Sequence, residues 1–126
     1  AIFIANVLRG EPITIFGDGE QSRDFVHIDD VVQAWVGSLD NPAAHNQIFN
    51  LGTGTRRSIH DLIDAVLAAE GHDRKRYEIR YERERPGDQR HMQADISRTR
   101  EVLGWEPRVD FTEGMARTVR WARDSR

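Results

Sequence analysis

Fourteen residues near the start of the chain constrain its fold most. The run Gly17-Asp18-Gly19-Glu20-Gln21-Ser22-Arg23-Asp24-Phe25-Val26-His27-Ile28-Asp29-Asp30 joins a glycine turn, one isolated arginine, a short apolar run and a double aspartate. Glycine gives the turn its positive φ angles. Residues 25–28 read as a strand. Asp29 or Asp30 then reads as the cap of a helix, because a carboxylate accepts the free amides of a first turn. A turn, a strand and a helix start in such quick succession belong to a mixed α/β chain. A glycine turn followed by a positioned cation is also one way to hold a phosphate.

The rest of the chain follows the same alternation. Residues 1–9 read as a helix ended by Gly10, and Pro12 leads into a strand at 13–16. The helix that begins at the double aspartate runs to about Leu39. Val31, Val32, Trp35, Val36 and Leu39 cover a broad face of it, which predicts burial. Residues 47–51 read as a strand and Gly52-Thr53-Gly54 as a turn. Ser58 caps the next helix, with Asp61 completing a near capping box and Gly71 stopping it. Residues 77–82 alternate as a strand does. Ser97 caps a short helix ending at Gly104, and Thr112 caps a last one with Met115, Val119 and Ala122 on one side. The fold class expected is α/β, in a mixed α+β arrangement. The strands are short and far apart, so some are expected to complete a sheet whose other strands lie elsewhere. The opening at Ala1 has neither cap nor methionine and reads as a helix cut from a longer chain. The chain is therefore expected to be a C-terminal part, as one domain over 1–126.

Bulk properties exclude several classes. The 126 residues include 18 basic and 21 acidic ones, interspersed, for a net charge of −3, so no field of one sign invites nucleic acid or a membrane. There is no cysteine, which excludes disulfides and thiolate chemistry. No apolar run approaches the roughly 20 residues that span a bilayer. The opening segment, residues 1–8, is too short for a secretory signal and lacks its basic start, and cytoplasm is the expected compartment. Arg74 to Arg90 is basic but interrupted by Glu78, Glu82 and Glu84, as a solvated, ion-paired strand would be. The five histidines form no zinc-helix spacing, so no metal is expected. Arg56 and Arg57 follow Gly52-Thr53-Gly54 where a phosphate loop needs glycine or lysine, which leaves a structural βα turn. Tyr81 has Arg85, not lysine, four residues on. No tyrosine–lysine catalytic pair exists in this chain.

Two places could carry binding chemistry. The Arg23 guanidinium is a planar fork suited to phosphate oxygens, or else a partner for Asp24, Glu20 or Asp18. Arg85-Pro86-Gly87-Asp88 is a held turn whose arginine could grip phosphate and whose aspartate could accept from a ribose diol, or else it is an ordinary solvated turn.

Five motifs in order resemble one family. They are the run 17–32, Asn50-Leu-Gly-Thr-Gly54, Arg85-Pro-Gly-Asp88, Ala94-Asp95-Ile-Ser97 and Leu103-Gly-Trp-Glu-Pro107, followed by Glu113-Gly-Met and Thr118-Val-Arg-Trp121. Together they resemble the C-terminal part of extended short-chain dehydrogenases, the NAD-dependent epimerase/dehydratase family. Arg-Asp-Phe-Val-His followed by Arg-Pro-Gly-Asp looks most like the UDP-glucose 4-epimerase type. Dehydratases, reductases and decarboxylases of the family share most of the region. The resemblance implies a Rossmann domain with NAD and a Tyr-x-x-x-Lys pair outside this chain, so that no catalytic and no cofactor-binding residue is expected within it. It implies a homodimeric parent and a UDP-sugar or other NDP-sugar as partner. It implies that the backbone of Thr14 and Phe16 holds the base, that Arg23 and Arg85 hold the diphosphate, and that Asp88 holds the ribose. The implied reaction is transient oxidation at the sugar, with hydride passing to NAD and back. This chain would then orient substrate and be inactive alone, neither binding NAD nor hiding the apolar faces of residues 1–9 and 31–39, which leave it open to self-association. A non-catalytic nucleotide-sugar-binding module is the rival of another class.

Overall fold

A computed structural model describes residues 1–125. In chain order the elements are α1 (Ile2–Arg9), β1 (Ile13–Phe16), β2 (Ser22–Arg23), α2 (Ile28–Leu39), a 3-10 turn (Pro42–Ala44), β3 (Arg57–Ser58), α3 (Ile59–Ala69), β4 (Ile79–Glu82), α4 (Ser97–Leu103) and α5 (Phe111–Asp124). The mixed α/β class is as expected.

The core forms where three helices meet one strand. Ile4 and Val7 of α1, Ile13 and Ile15 of β1, Ile63, Val66 and Leu67 of α3, and Val119 of α5 make one buried cluster. Met115 and Ala122 of α5 pack against it, on the side their spacing predicts. β1 pairs with β4 in parallel, Ile13 opposite Ile79 through Phe16 opposite Glu82. β2 and β3 make a separate antiparallel pair of two residues each. Gly10 ends α1 in the left-handed region at φ 70°, where its amide and that of Glu11 close on Val7 and Asn6. At α3 the capping box is complete: the Asp61 amide donates to Ser58 Oγ at 3.0 Å and the Ser58 amide to the Asp61 carboxylate at 2.8 Å.

Several local expectations need correction. Residues 25–28 are not a strand. The ladder stops at Arg23, Asp24 turns its carboxylate into another loop, and Ile28 already belongs to α2. The cap of α2 is His27, whose Nδ1 accepts from the Asp29 amide at 3.2 Å. Asp30 is buried instead. Its carboxylate accepts the amides of Arg108 at 3.0 Å and Val109 at 3.1 Å, and its main-chain oxygen accepts the Trp105 indole N–H at 2.9 Å. It ties α2 to the loop before α5 and satisfies that loop's donors. Asp110, not Thr112, caps α5, and Asp95 receives the Ser97 amide that opens α4. Residues 47–51 lie in no ladder among the described residues. Asn50 is held from the side, its carbonyl accepting Thr99 Oγ1 at 2.6 Å.

The apolar face of α2 is open rather than buried. Only Asp30 and Ala34 of this helix are buried, while Trp35 is 70% and Leu39 74% exposed. The described residues supply nothing to cover the stripe. No helix among them is long and apolar enough to cross a membrane.

Candidate functional site

The parallel pairing decides where the candidate residues meet. β1 and β4 point the same way, so the loops after both leave from one end of the sheet, the carboxyl end where ligands of α/β chains commonly sit. The loop after β1 carries Arg23, and the loop after β4 carries Arg85 and Asp88. Arg23 Nη2 donates to Asp88 Oδ1 at 2.6 Å, and Arg23 Nη1 donates to the Ser22 carbonyl at 2.9 Å. None of its three alternative partners is used: Asp18 pairs with Arg90 and Asp24 serves a different loop. The Arg85 guanidinium lies 3.9 Å above the centre of the Phe16 ring, a cation–π contact that fixes it over the end of β1.

The backbone of β1 contributes a free edge. The amides of Ile13 and Gly17 donate to Glu78 and Glu82 on the β4 side at 3.1 and 2.9 Å. With the two-residue period of a strand, the polar groups of Thr14 and Phe16 therefore face the other way. The Phe16 carbonyl accepts Gln21 Nε2 at 2.7 Å, which leaves the N–H and C=O of Thr14 and the N–H of Phe16 towards the cleft. That cleft has a volume of about 590 Å³ and is lined by Asn6, Thr14, Phe16, Gln21, Arg85 and Asp88 among others. Arg23 joins it through Asp88. A larger cleft of about 670 Å³ runs between His27, Asp29, Arg117 and Trp121. Its one arginine is already paired with Asp29 and Glu113, so it offers an anion little.

The turn between β1 and β2 is braced on two sides. Arg90 Nη1 and Nη2 donate to the two carboxylate oxygens of Asp18, each at 2.7 Å. That fork, with the Glu20 amide, pulls the Asp18 carboxyl down to about 2. The Ser22 amide donates to the Arg90 carbonyl at 2.9 Å, and Ser22 Oγ and His91 Nδ1 share a hydrogen bond of 2.8 Å. From α3, His60 Nε2 reaches the Asp18 carbonyl at 2.8 Å.

Asp24 is the chief residue that the sequence reading passed over. Its carboxylate accepts from the Thr53 amide at 2.7 Å, Thr53 Oγ1 at 2.6 Å, the Gly54 amide at 2.9 Å and the Ala94 amide at 3.2 Å. Burial raises its pKa, but these four donors outweigh burial and the net shift is downward. The sequence offered it only as one of three partners for Arg23, which gives no sign of the distant amides it accepts. Gln21 and Arg90 had no local signal at all.

Asp24 also settles what the glycine turn can bind. The amides of Thr53 and Gly54 are taken by its carboxylate, and the first-turn amide of Asp61 is taken by the Ser58 cap. A dinucleotide pyrophosphate needs such amides free. The Gly52-Thr53-Gly54 turn therefore offers a pyrophosphate no free cradle of amides. The described residues also hold no group of three metal-ligating side chains.

Residues 1–118 match the family described as GDP-mannose 4,6 dehydratase. The chain belongs to this family. It is thereby one of the extended short-chain dehydrogenases that its motifs resemble, with their NAD-dependent epimerases and dehydratases. The chain is 43% identical over 124 residues to the UDP-glucose 4-epimerase of Mycolicibacterium smegmatis, covering 98% of this chain and 38% of that protein. It superposes on the crystal structure of UDP-glucose 4-epimerase with UDP-glucose from Thermotoga maritima with a TM-score of 0.88 and 39% identity, covering 98% of this chain and 38% of that one. UDP-glucuronic acid 4-epimerase from Bacillus cereus, in complex with UDP-glucuronic acid and NAD, matches with a TM-score of 0.82 and 28% identity over 95% of this chain and 38% of that one. The family member described here thus spans 38% of the length of each of these relatives.

Proposed function

We propose that this chain is the nucleotide-sugar-binding part of an NAD-dependent nucleotide-sugar epimerase of the UDP-glucose 4-epimerase type. The observation that carries the reading is the meeting of Arg23 with Asp88, and of Arg85 with Phe16, at the open edge of β1. In this reading the Thr14 and Phe16 backbone pairs with the edge of the base. Arg23 and Arg85 take the diphosphate, where a guanidinium fork matches paired phosphate oxygens. Asp88 accepts from the ribose hydroxyls. Holding the nucleotide end at four points leaves the sugar to be presented to chemistry supplied elsewhere in the protein, and the chain's contribution is binding energy and orientation. NAD is assigned to the remainder of the protein, a reading supported by the Gly52-Thr53-Gly54 turn, whose amides are engaged by Asp24. A 4,6-dehydratase of the same family is the second reading, favoured by the family description itself.

The test is a titration of the full-length protein with UDP-glucose, UDP-N-acetylglucosamine and dTDP-glucose, followed by product analysis. UDP-glucose is expected to bind and to be converted to its 4-epimer. Loss of water from the sugar instead would replace the first reading with the second. Binding of none of the three would sink both. The 126-residue chain by itself is expected to show no turnover, and measurable turnover would overturn the division of labour proposed here.

A further inference from the structure

One side chain of α3 holds the turn that precedes Arg23. His60 stands in the first turn of α3, and its Nε2 donates to the Asp18 carbonyl at 2.8 Å, since a carbonyl only accepts. Its Nδ1 faces Arg74 Nη2 at 3.3 Å, which donates to it; Arg74 in turn is tied to Asp64 of α3 at 2.7 Å. The ring also fills the space beside Gly19. A β-carbon there would lie 2.6 Å from His60 Nε2, and the residue sits at φ 80°, so only glycine lets the turn close onto the ring. The chain of contacts continues past the turn. Asp18 holds the Arg90 fork, the Arg90 carbonyl holds the Ser22 amide, and the next residue, Arg23, reaches Asp88.

We propose that His60 is a positioning residue for the diphosphate end of a nucleoside-diphosphate-sugar site. The inference rests on the site reading above. Arg23 lies on a strand of only two residues, which cannot fix a long side chain by itself. His60 anchors the middle of the Gly17–Gly19 turn, at Asp18, to a helix whose own face is in the core. With that anchor in place, Arg23 and the 85–88 turn are already facing each other before ligand arrives. Without it, the turn keeps the Arg90 fork but loses its side-chain tie to α3, and the extra ordering then required at the moment of binding falls on affinity. His60 touches no reacting atom in this arrangement, so the effect belongs in KM and Kd rather than in kcat.

Two variants of the full-length protein separate the ring's shape from its hydrogen bond. His60→Phe keeps a ring beside Gly19 and removes the donor. His60→Gln keeps a donor able to reach the Asp18 carbonyl and removes the ring. UDP-glucose affinity by calorimetry is expected to fall about tenfold in His60→Phe, the worth of one hydrogen bond that orders a binding loop, and to recover to within about threefold in His60→Gln. The turnover number is expected to stay within about twofold in both. Wild-type affinity in both variants would overturn the inference. Weak binding in both with an unchanged melting temperature would support it, with the ring contributing as well. Weak binding in both with a lowered melting temperature would overturn it, leaving His60 as packing only. Arg23→Ala is the reference. If it weakens binding while the His60 variants do not, the brace alone fails. If Arg23→Ala binds as wild type, the site reading fails and the brace with it.

Discussion

Asp24→Ala is expected to lower the unfolding free energy of the full-length protein by about 3 kcal/mol, because a charged acceptor shared by several amides is lost at once. Three main-chain amides and one hydroxyl converge on this carboxylate from two loops. Charge-assisted bonds of this kind are worth about 1.5–3 kcal/mol each when fully sheltered. Asp24 is only half-buried, so water replaces part of the loss, and the sum falls well below four full bonds. The packing is also tight: a β-carbon on Gly52 would lie 2.8 Å from an Asp24 oxygen. Asp24→Asn is expected to cost less, since its amide keeps one acceptor oxygen but turns an NH2 towards donors. Acid gives a second reading of the same contacts. The folded pKa of Asp24 is depressed below its ordinary 3.8. Its stabilisation is therefore fully present above 3.8 and is lost as pH falls through the lower folded value. Urea midpoints measured from about pH 7 to about pH 3 should fall more steeply in the wild type than in Asp24→Ala at the acid end. Equal midpoints at pH 7 would show that the two loops are held by something else.

Arg23→Ala is expected to weaken UDP-glucose, UDP-N-acetylglucosamine and dTDP-glucose alike, by about 10- to 100-fold, the range of one lost charge-assisted phosphate contact. The uniformity is the informative part, because the three ligands differ in the base, the ribose 2′ position or the sugar 2-substituent but carry the same diphosphate. Arg23→Lys keeps the charge but not the fork and should lie between the two. The Asp88 carboxylate now occupied by Arg23 competes with ligand phosphate for the same donors. Removing Asp88 therefore frees the arginine while losing a ribose acceptor, and the net effect of Asp88→Ala is expected to be the smaller of the two. The salt dependence of binding should flatten in Arg23→Ala, since one fixed charge no longer faces the ligand. Isothermal titration at two ionic strengths checks both points. Unchanged affinity for all three ligands would remove Arg23 from the phosphate site.

Signals confined to a few neighbouring residues were legible in the sequence. Gly10, Gly71 and Gly104 all adopt the left-handed conformation at helix ends. The Ser58–Asp61 box and the strands at 13–16 and near 79–82 are where their patterns put them. What the sequence hid was the choice among equivalent donors and acceptors. Asp29 and Asp30 both suit a helix cap, yet His27 takes that role because Asp30 has two better amides far along the chain, at Arg108 and Val109. Residues 25–28 have the composition of a strand, but a strand also needs a neighbour in register, and none is offered beyond Arg23. The apolar face of α2 was plain in the sequence, while its exposure depends on what surrounds it. The same holds for the site. Thr14, Phe16, Arg85 and Asp88 line one cleft, and Arg23 touches it, but the pairing of Arg23 with Asp88 across 65 positions has no local trace. It follows from the parallel alignment of β1 with β4, which neither strand encodes alone.

That alignment has a consequence for engineering. Each strand ends in its own site loop, and the register of the two strands, Ile13 opposite Ile79 to Phe16 opposite Glu82, is set before the loops begin. The segments 17–24 and 83–92 are therefore separable cassettes on a common frame. Exchanging either with the matching stretch of a relative should regraft half of the site and keep the β1–β4 register, as long as residue 17 still donates its amide to Glu82 and residues 22–23 still pair with β3. Only a matched pair would restore the Arg23–Asp88 and Asp18–Arg90 junctions, so a library built by shuffling the two loops independently would reveal, in its survivors, which combinations of relatives share a compatible joint.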